Sequence, residues 1–147
     1  MSPVSHVIAS ALTSAGFAAA THSVEGTVVC FLSGIFIDID HHFDLWLHKK
    51  KILLNPRDLF HFCEKEKDGK LYLIFHSYEL LALLWFSLLM FKWNMRWWGL
   101  ASGISVHLIL DQIFNPLKFG TYFWVYRFKN KFAKEAIFPP KYYSQMQ

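Results

Sequence analysis

The stretch that decides the fold is an apolar run that ends in a dense group of metal-binding residue types. It reads Gly34-Ile35-Phe36-Ile37-Asp38-Ile39-Asp40-His41-His42-Phe43-Asp44, and the residues from Thr27 to Ile37 carry no charge. Three carboxylates and two imidazoles then follow, and these are the ligands that zinc and manganese prefer. A polar loop that ends a helix would explain the same residues, so the rest of the chain has to decide between the two interpretations.

The composition is that of one strongly apolar chain. Its 147 residues suffice for one compact domain, and 54% are hydrophobic and 18% aromatic, which is rich for a soluble domain. The mean hydropathy is only +0.24 because 13 of the 15 Lys and Arg residues lie in two segments, Lys49–Lys70 and Lys118–Lys141. These basic residues flank apolar runs, a pattern typical of a membrane border, so we expect a lipid bilayer as partner and no nucleic acid.

Apolar segments predict an all-α, membrane-embedded bundle of about four helices. They are Val4–Ala20, Val24–Ile39, Leu71–Phe91 and Trp97–Leu117. The third is the strongest candidate, since its 21 residues are long enough to cross about 30 Å of hydrocarbon. The first is short and polar, so the sequence leaves open whether it crosses the bilayer.

The basic segments set the expected domains and sides of the membrane. We expect a membrane-embedded metal-binding domain over residues 1–120, with residues 41–70 as a long polar loop, and a basic aromatic tail over residues 121–147 that lies along the membrane surface. The positive-inside bias then puts the loop and both termini in the cytoplasm. This predicts an integral membrane protein, in a bacterial inner membrane.

Ionisable residues of the apolar segments converge on one leaflet in this topology. They are His6, Asp38, Asp40, His41, His42, His76, Glu79, His107 and Asp111. A carboxylate in hydrocarbon costs several kcal/mol unless it is paired or metal-bound, so Glu79 and Asp111 weigh most. A lone histidine such as His76 is more often a hydrogen-bonded packing residue.

Helical spacing predicts that these residues share faces. His107 and Asp111 lie one turn apart, and His76 and Glu79, three apart, would share a face of the third segment. Steps of four also connect Gly26, Cys30, Gly34, Asp38 and His42 in the second segment, and His6, Ser10, Ser14 and Ala18 in the first. Small residues let helices approach closely, so we expect these stripes to face each other.

Short blocks in a fixed order give the chain a resemblance to a known family. They are Gly34-x-x-x-Asp38-Ile39-Asp40-His41, Phe75-His76-Ser77 and His107-Leu-Ile-Leu-Asp111. Together with the early His6 they resemble the YdjM-like family of membrane-bound metal-dependent hydrolases, which is itself said to resemble zinc-dependent phospholipase C. Ile37 and Phe75 stand where the family pattern has Pro and Thr, and the resemblance leaves out the tail.

The donor set and the resemblance together imply a metal-dependent hydrolase acting on a phosphoester or lipid-linked phosphate near the cytoplasmic leaflet. The expected cofactor is one to three divalent ions, zinc first, with manganese or magnesium as alternatives. The predicted catalytic base is Asp40 or Glu79. Helical phase favours His42 as a ligand and the family block favours His41, which we choose. The predicted ligands are His6, Asp38, Asp40, His41, His76, Glu79, His107 and Asp111.

Two non-enzymatic interpretations compete. A transporter or cation-binding protein would use the same residues, but a path should continue polar groups through the outer leaflet, which offers mostly Gly, Ser and Ala. A structural adaptor would not explain the carboxylates. In the hydrolase interpretation, basic residues such as Lys49–Lys51 and Arg57 attract the anionic head group of the substrate. The sequence leaves the oligomeric state open.

Overall fold

The computed structural model describes residues 3–50, 59 and 70–146. Over this part of the chain it contains eight α-helices and no β-strand, which confirms the all-α prediction, with one isolated antiparallel bridge between Lys70 and Ala133. The helices are α1 (Pro3–Thr21), α2 (Val24–Phe36), α3 (Ile39–Lys49), α4 (Tyr78–Phe91), α5 (Met95–Phe114), α6 (Trp124–Lys129), α7 (Lys134–Ile137) and α8 (Pro140–Tyr143).

The chain divides into two compact units. The first unit comprises Met1–Ile37 and Tyr78–Phe114, and the second unit comprises Asp38–Ser77 and Asn115–Gln147. The predicted membrane-embedded domain over residues 1–120 and the predicted tail over residues 121–147 stay predictions.

In the first unit, α2 and α5 pack with their backbones in contact because glycines meet at the crossing. A Cβ on Gly99 would overlap the carbonyl oxygen of Gly26, and a Cβ on Gly103 would overlap Ser33 Oγ. A Cβ on Gly34 would likewise overlap a side-chain oxygen of α1. The predicted small-residue stripes therefore do face each other, as close helix contact requires.

The first unit exposes large apolar side chains and buries several polar ones. Leu12, Leu83, Phe91 and Ile113 are between 62% and 73% exposed. Its buried polar side chains include His6, Ser10, Ser14, Ser33, His107 and Asp111. Among the described helices, only α1 is long and apolar enough to cross a membrane by length and composition, over Val4–Thr21 with a mean hydropathy of 1.3; α4 is apolar but shorter.

The prediction of one helix over Val24–Ile39 followed by a polar loop was wrong. Helix α2 ends at Phe36, and α3 runs from Ile39 to Lys49 as a separate helix. Helix α3 buries Asp40, Asp44 and Leu45, and the polar residues on this buried face favoured a loop in the sequence analysis. Most of the remaining predicted loop, including Lys51, Arg57 and Cys63, lies outside the described residues.

The prediction of a 21-residue helix over Leu71–Phe91 was also wrong. Only α4, Tyr78–Phe91, is helical, and residues 71–77 are irregular. In this irregular segment, backbone N–H groups donate to the carboxylates of Asp40 and Asp44 and backbone carbonyls accept from Arg127. Buried backbone groups need partners, and here side chains supply the partners that a helix would otherwise supply.

The tail is folded, and its predicted location along the membrane surface stays a prediction. Helices α6, α7 and α8 occupy it. Two of its basic residues, Arg127 and Lys134, are completely or almost completely buried in the second unit. The sequence identifies these residues as basic but does not indicate which of their side chains are buried.

Candidate metal centre

Two histidines and one aspartate gather inside the first unit. His107 and Asp111 lie one turn apart on α5, with Nε2 of His107 3.4 Å from Oδ2 of Asp111. From α1, Nε2 of His6 lies 3.2 Å from Oδ1 of Asp111, and the rings of His6 and His107 stack with centroids 4.2 Å apart. All three side chains are at most 5% exposed. The spacing of four predicted from the sequence thus brings His107 and Asp111 together.

The tautomer of His107 follows from the partner of its other nitrogen. Nδ1 of His107 lies 2.8 Å from the carbonyl oxygen of Gly34, which can only accept, so Nδ1 carries a proton and donates it. In the neutral ring, Nε2 then presents a lone pair toward the carboxylate of Asp111. Two acceptors at 3.4 Å repel unless a cation, either a proton or a metal ion, lies with them.

The second unit repeats this arrangement with different residues. Nδ1 of His76 lies 3.2 Å from Oδ2 of Asp40, and Nε2 of His76 lies 3.5 Å from Oδ1 of Asp38. The carboxylate of Asp40 also accepts the backbone N–H groups of Phe75 and His76. A histidine whose second nitrogen donates to a carboxylate is the usual form of a metal ligand, since that bond fixes the ring and raises its basicity.

The other predicted site residues take different places. His41, on α3, has Nε2 3.9 Å from Oδ1 of Asp38, and its ring lies 5.3 Å from that of His76. His42 is half-buried one position further along α3, and the step-of-four stripe that favoured it stops because α2 ends at Phe36. Glu79 lies in the first turn of α4 and is half-buried. His76 precedes that helix, so the expected common helical face of His76 and Glu79 does not exist.

Arg127 and Asp44 clamp the irregular segment that carries His76. The guanidinium of Arg127, completely buried on α6, donates to the carbonyls of Tyr72 and Leu73 and, at 2.9 Å, to that of His76. Asp44 is also completely buried and accepts the N–H groups of Tyr72 at 3.0 Å and Leu73 at 3.2 Å. These bonds fix the backbone from which the imidazole of His76 projects.

Burial raises the pKa of Asp44 to about 7 from an ordinary value of 3.8. The N–H groups of Leu73 and Tyr72 and the charge of Arg127 oppose this rise, whereas the nearby charge of Asp40 adds to it. Loss of water is the largest cause because a carboxylate inside the unit has only fixed partners to solvate it.

Sequence reasoning missed Arg127 and Asp44. One signal was present for Asp44: it lies four residues after Asp40, so both carboxylates share one face of α3. A weaker signal was present for Arg127, a single cation inside the aromatic run from Tyr122 to Phe128. Neither signal identifies the hydrogen-bond partners of Asp44 and Arg127, since the segment that these two residues hold is distant from both along the chain.

Some of these side chains could hold a metal ion. Asp38 and His76 of the second unit and His107 and Asp111 of the first each offer a ligand atom to such an ion. The chain thus has a group of His and Asp side chains that could hold a metal ion, while a bound divalent ion, its identity and the number of ions stay predictions.

Comparison of the chain with protein-family models, with curated proteins and with solved structures finds no significant match. The resemblance to the YdjM-like family therefore stays a prediction based on the order of the three blocks.

Proposed function

We propose that this protein is a membrane-bound metal-dependent hydrolase that cleaves a phosphoester or lipid-linked phosphate near the cytoplasmic leaflet. The single observation that carries the proposal is the repeated arrangement of His107 and His76. Each has Nδ1 on a fixed acceptor and Nε2 toward an aspartate, within 3.5 Å.

The donor set fits a divalent ion better than it fits ion pairs alone. If His107 were an imidazolium paired with Asp111, the carboxylate would still face His6, whose ring stacks on that of His107 at 4.2 Å. One carboxylate balances one such charge, so His6 would have to stay neutral, because two stacked imidazolium rings would repel each other. Neutral imidazoles and a carboxylate around a divalent ion avoid this repulsion, and nitrogen and oxygen donors of this kind suit zinc or manganese.

Each residue then has a defined task. Asp38, His76, His107 and Asp111 would hold the ion or ions, and His6 and His41 would be further ligands. A bound divalent ion supplies activation of water and neutralisation of phosphoryl charge. Asp40 orients His76 through Nδ1, and Glu79 is the carboxylate proposed to accept the proton of the attacking water.

The surface of the first unit supports the membrane part of the proposal. Large apolar side chains such as Leu12 and Phe91 are 71% and 73% exposed, while histidine, serine and aspartate point inward. In water this distribution is unfavourable, and in hydrocarbon it is the expected one. A location in a bacterial inner membrane with both termini in the cytoplasm remains part of the proposal, from the distribution of Lys and Arg.

The test is metal content and turnover of the purified full chain in lipid nanodiscs. We expect bound zinc or manganese, hydrolysis of a phosphodiester and a lipid phosphate, and loss of both in chelator. Asp111→Asn should lower metal content and turnover together. Glu25→Gln is the matched control, since Glu25 is an exposed carboxylate of the same unit, paired with Arg96 at 2.7 Å. Turnover that persists without metal would refute the proposal.

The number of metal ions bound per chain, measured in single variants, shows whether the two units bind ions separately. If Asp38→Asn and Asp111→Asn each abolish all binding, both units serve the same ion or ions; if each removes only a part, the units bind separately. Metal binding without turnover on any phosphoester would favour the non-enzymatic alternative, a cation-binding or transport protein.

A further inference from the structure

The second unit exposes a run of apolar side chains along one short stretch of chain. Phe119 is 81% exposed, Phe128 60% and Val125 51%, and Phe123 and Trp124 are each 40% exposed. The rings of Trp124 and Phe128 stack with centroids 5.4 Å apart. We call these five residues the aromatic patch. A concentration of exposed apolar groups of this kind marks a surface that meets something other than water.

Positive charge adjoins the aromatic patch. Lys129 and Lys131 follow it directly and are both exposed. The backbone N–H of Lys131 donates to the carbonyl of Phe128 at 3.0 Å, so the chain turns back and keeps Lys131 beside the patch. The sole acidic residue after position 118 is Glu135. The charge next to the patch is therefore positive, and an acidic surface complements it.

We propose that the aromatic patch and its two lysines insert into the head-group region of an anionic lipid surface. Trp and Phe rings favour the boundary between water and hydrocarbon, and each lysine near an anionic surface contributes about 1 kcal/mol. Helix α6 has six residues, so it lies in the interface and does not span it. This proposal goes beyond hydrolysis, since it concerns how the second unit meets lipid whether or not the chain turns over a phosphoester.

Site-directed spin labelling of the full chain in vesicles tests the proposal. The background carries Cys30→Ala and Cys63→Ser, and single labels are placed with Phe119→Cys or Phe128→Cys, where exposed side chains tolerate the change. Collision rates with oxygen, which concentrates in the bilayer, and with a water-soluble nickel chelate report the depth of each label. Vesicles of zwitterionic lipid alone are compared with vesicles that contain phosphatidylglycerol.

We expect both labels to collide mainly with oxygen in the anionic vesicles. The double variant Lys129→Gln/Lys131→Gln should reduce the ratio of immersed to water-exposed label by about tenfold or more, since two lysines at about 1 kcal/mol each correspond to a factor of about thirty in this equilibrium constant at full effect. Labels that remain accessible to the nickel chelate in both vesicle types would overturn the proposal. Equal immersion of the labels in zwitterionic and anionic vesicles would also overturn the proposal. Dipolar broadening between labels would overturn it too, because it would show that a second copy of the chain covers the patch.

Discussion

Replacing Arg127 by methionine removes the cation that holds the irregular segment 71–77. Its guanidinium donates to the carbonyls of Tyr72, Leu73 and His76, and its side chain is completely buried. A hydrogen bond to a charged group contributes about 1.5–3 kcal/mol, so three such bonds contribute about 4.5 kcal/mol even at the lower limit. Methionine keeps an unbranched apolar stem but cannot donate a hydrogen bond, so the carbonyls stay buried without this donor.

The effect on metal binding is separate from the effect on stability. His76 projects from the segment that Arg127 holds, and loss of the groups that orient a ligand lowers metal affinity about 10- to 100-fold. A loss of about 4.5 kcal/mol approaches the total stability of a small domain, so Arg127→Lys is the second variant. Lysine keeps the charge and loses the planar fork, and we expect an intermediate metal affinity in a folded protein.

The assay is the metal dissociation constant by chelator competition, beside thermal unfolding of the metal-free protein. Thr121→Val is the control, because Thr121 is completely buried in the same unit and donates to the carbonyl of Ile137 at 3.1 Å, outside segment 71–77. It should lower stability and leave metal affinity unchanged. If Arg127→Lys and Arg127→Met bind metal as tightly as the parent, the clamp does not position His76 and the reasoning is refuted.

Two further predictions concern stability. Gly99→Ala should lower the free energy of unfolding by about 1–3 kcal/mol, because its Cβ would overlap the carbonyl of Gly26. Gly16→Ala, with nothing within 4 Å of the new Cβ, should be neutral or stabilising. Equal effects of the two variants in thermal unfolding would contradict the close crossing of α2 and α5. The pKa of Asp44 is raised from 3.8 to about 7, so between these pH values the native state holds a proton that the unfolded chain releases. The free energy of unfolding should therefore fall as the pH rises through this range, by up to about 1.4 kcal/mol per pH unit. Asp44→Asn should flatten this slope in metal-free protein, and a slope that survives the substitution would assign it to another group.

The facing surfaces of α1, α2 and α5 in the first unit were predictable because their determinants are local. The four-residue spacing of His107 and Asp111 and the glycine steps through Gly26 and Gly34 are readable along the chain, and each describes one helix face. The facing of α2 and α5 then follows from residue size, since two glycines allow what larger residues forbid.

The irregular segment 71–77 was not predictable in this way. Its apolar sequence continues into α4 and satisfies every local criterion of a long helix. What prevents the helix is distant: Asp44 lies 28 residues before its partner Tyr72, and Arg127 lies 55 residues after it. Local propensity contains no information on partners that only the folded chain brings together. Helix α3 was not predicted for the same reason, because the hydrogen-bond partners of its polar face lie in segment 71–77.

The protonation state of the histidine rings tests the central claim most directly. Nitrogen-15 NMR of ring-labelled histidine in the full chain distinguishes a protonated Nδ1, a lone-pair Nε2, a metal-bound Nε2 and an imidazolium. We predict that Nδ1 of His107 and of His76 stays protonated and that Nε2 of both shifts to the metal-bound position when zinc is added, with His107→Gln and His76→Gln assigning the signals. Imidazolium signals for both rings that zinc leaves unchanged would contradict the account.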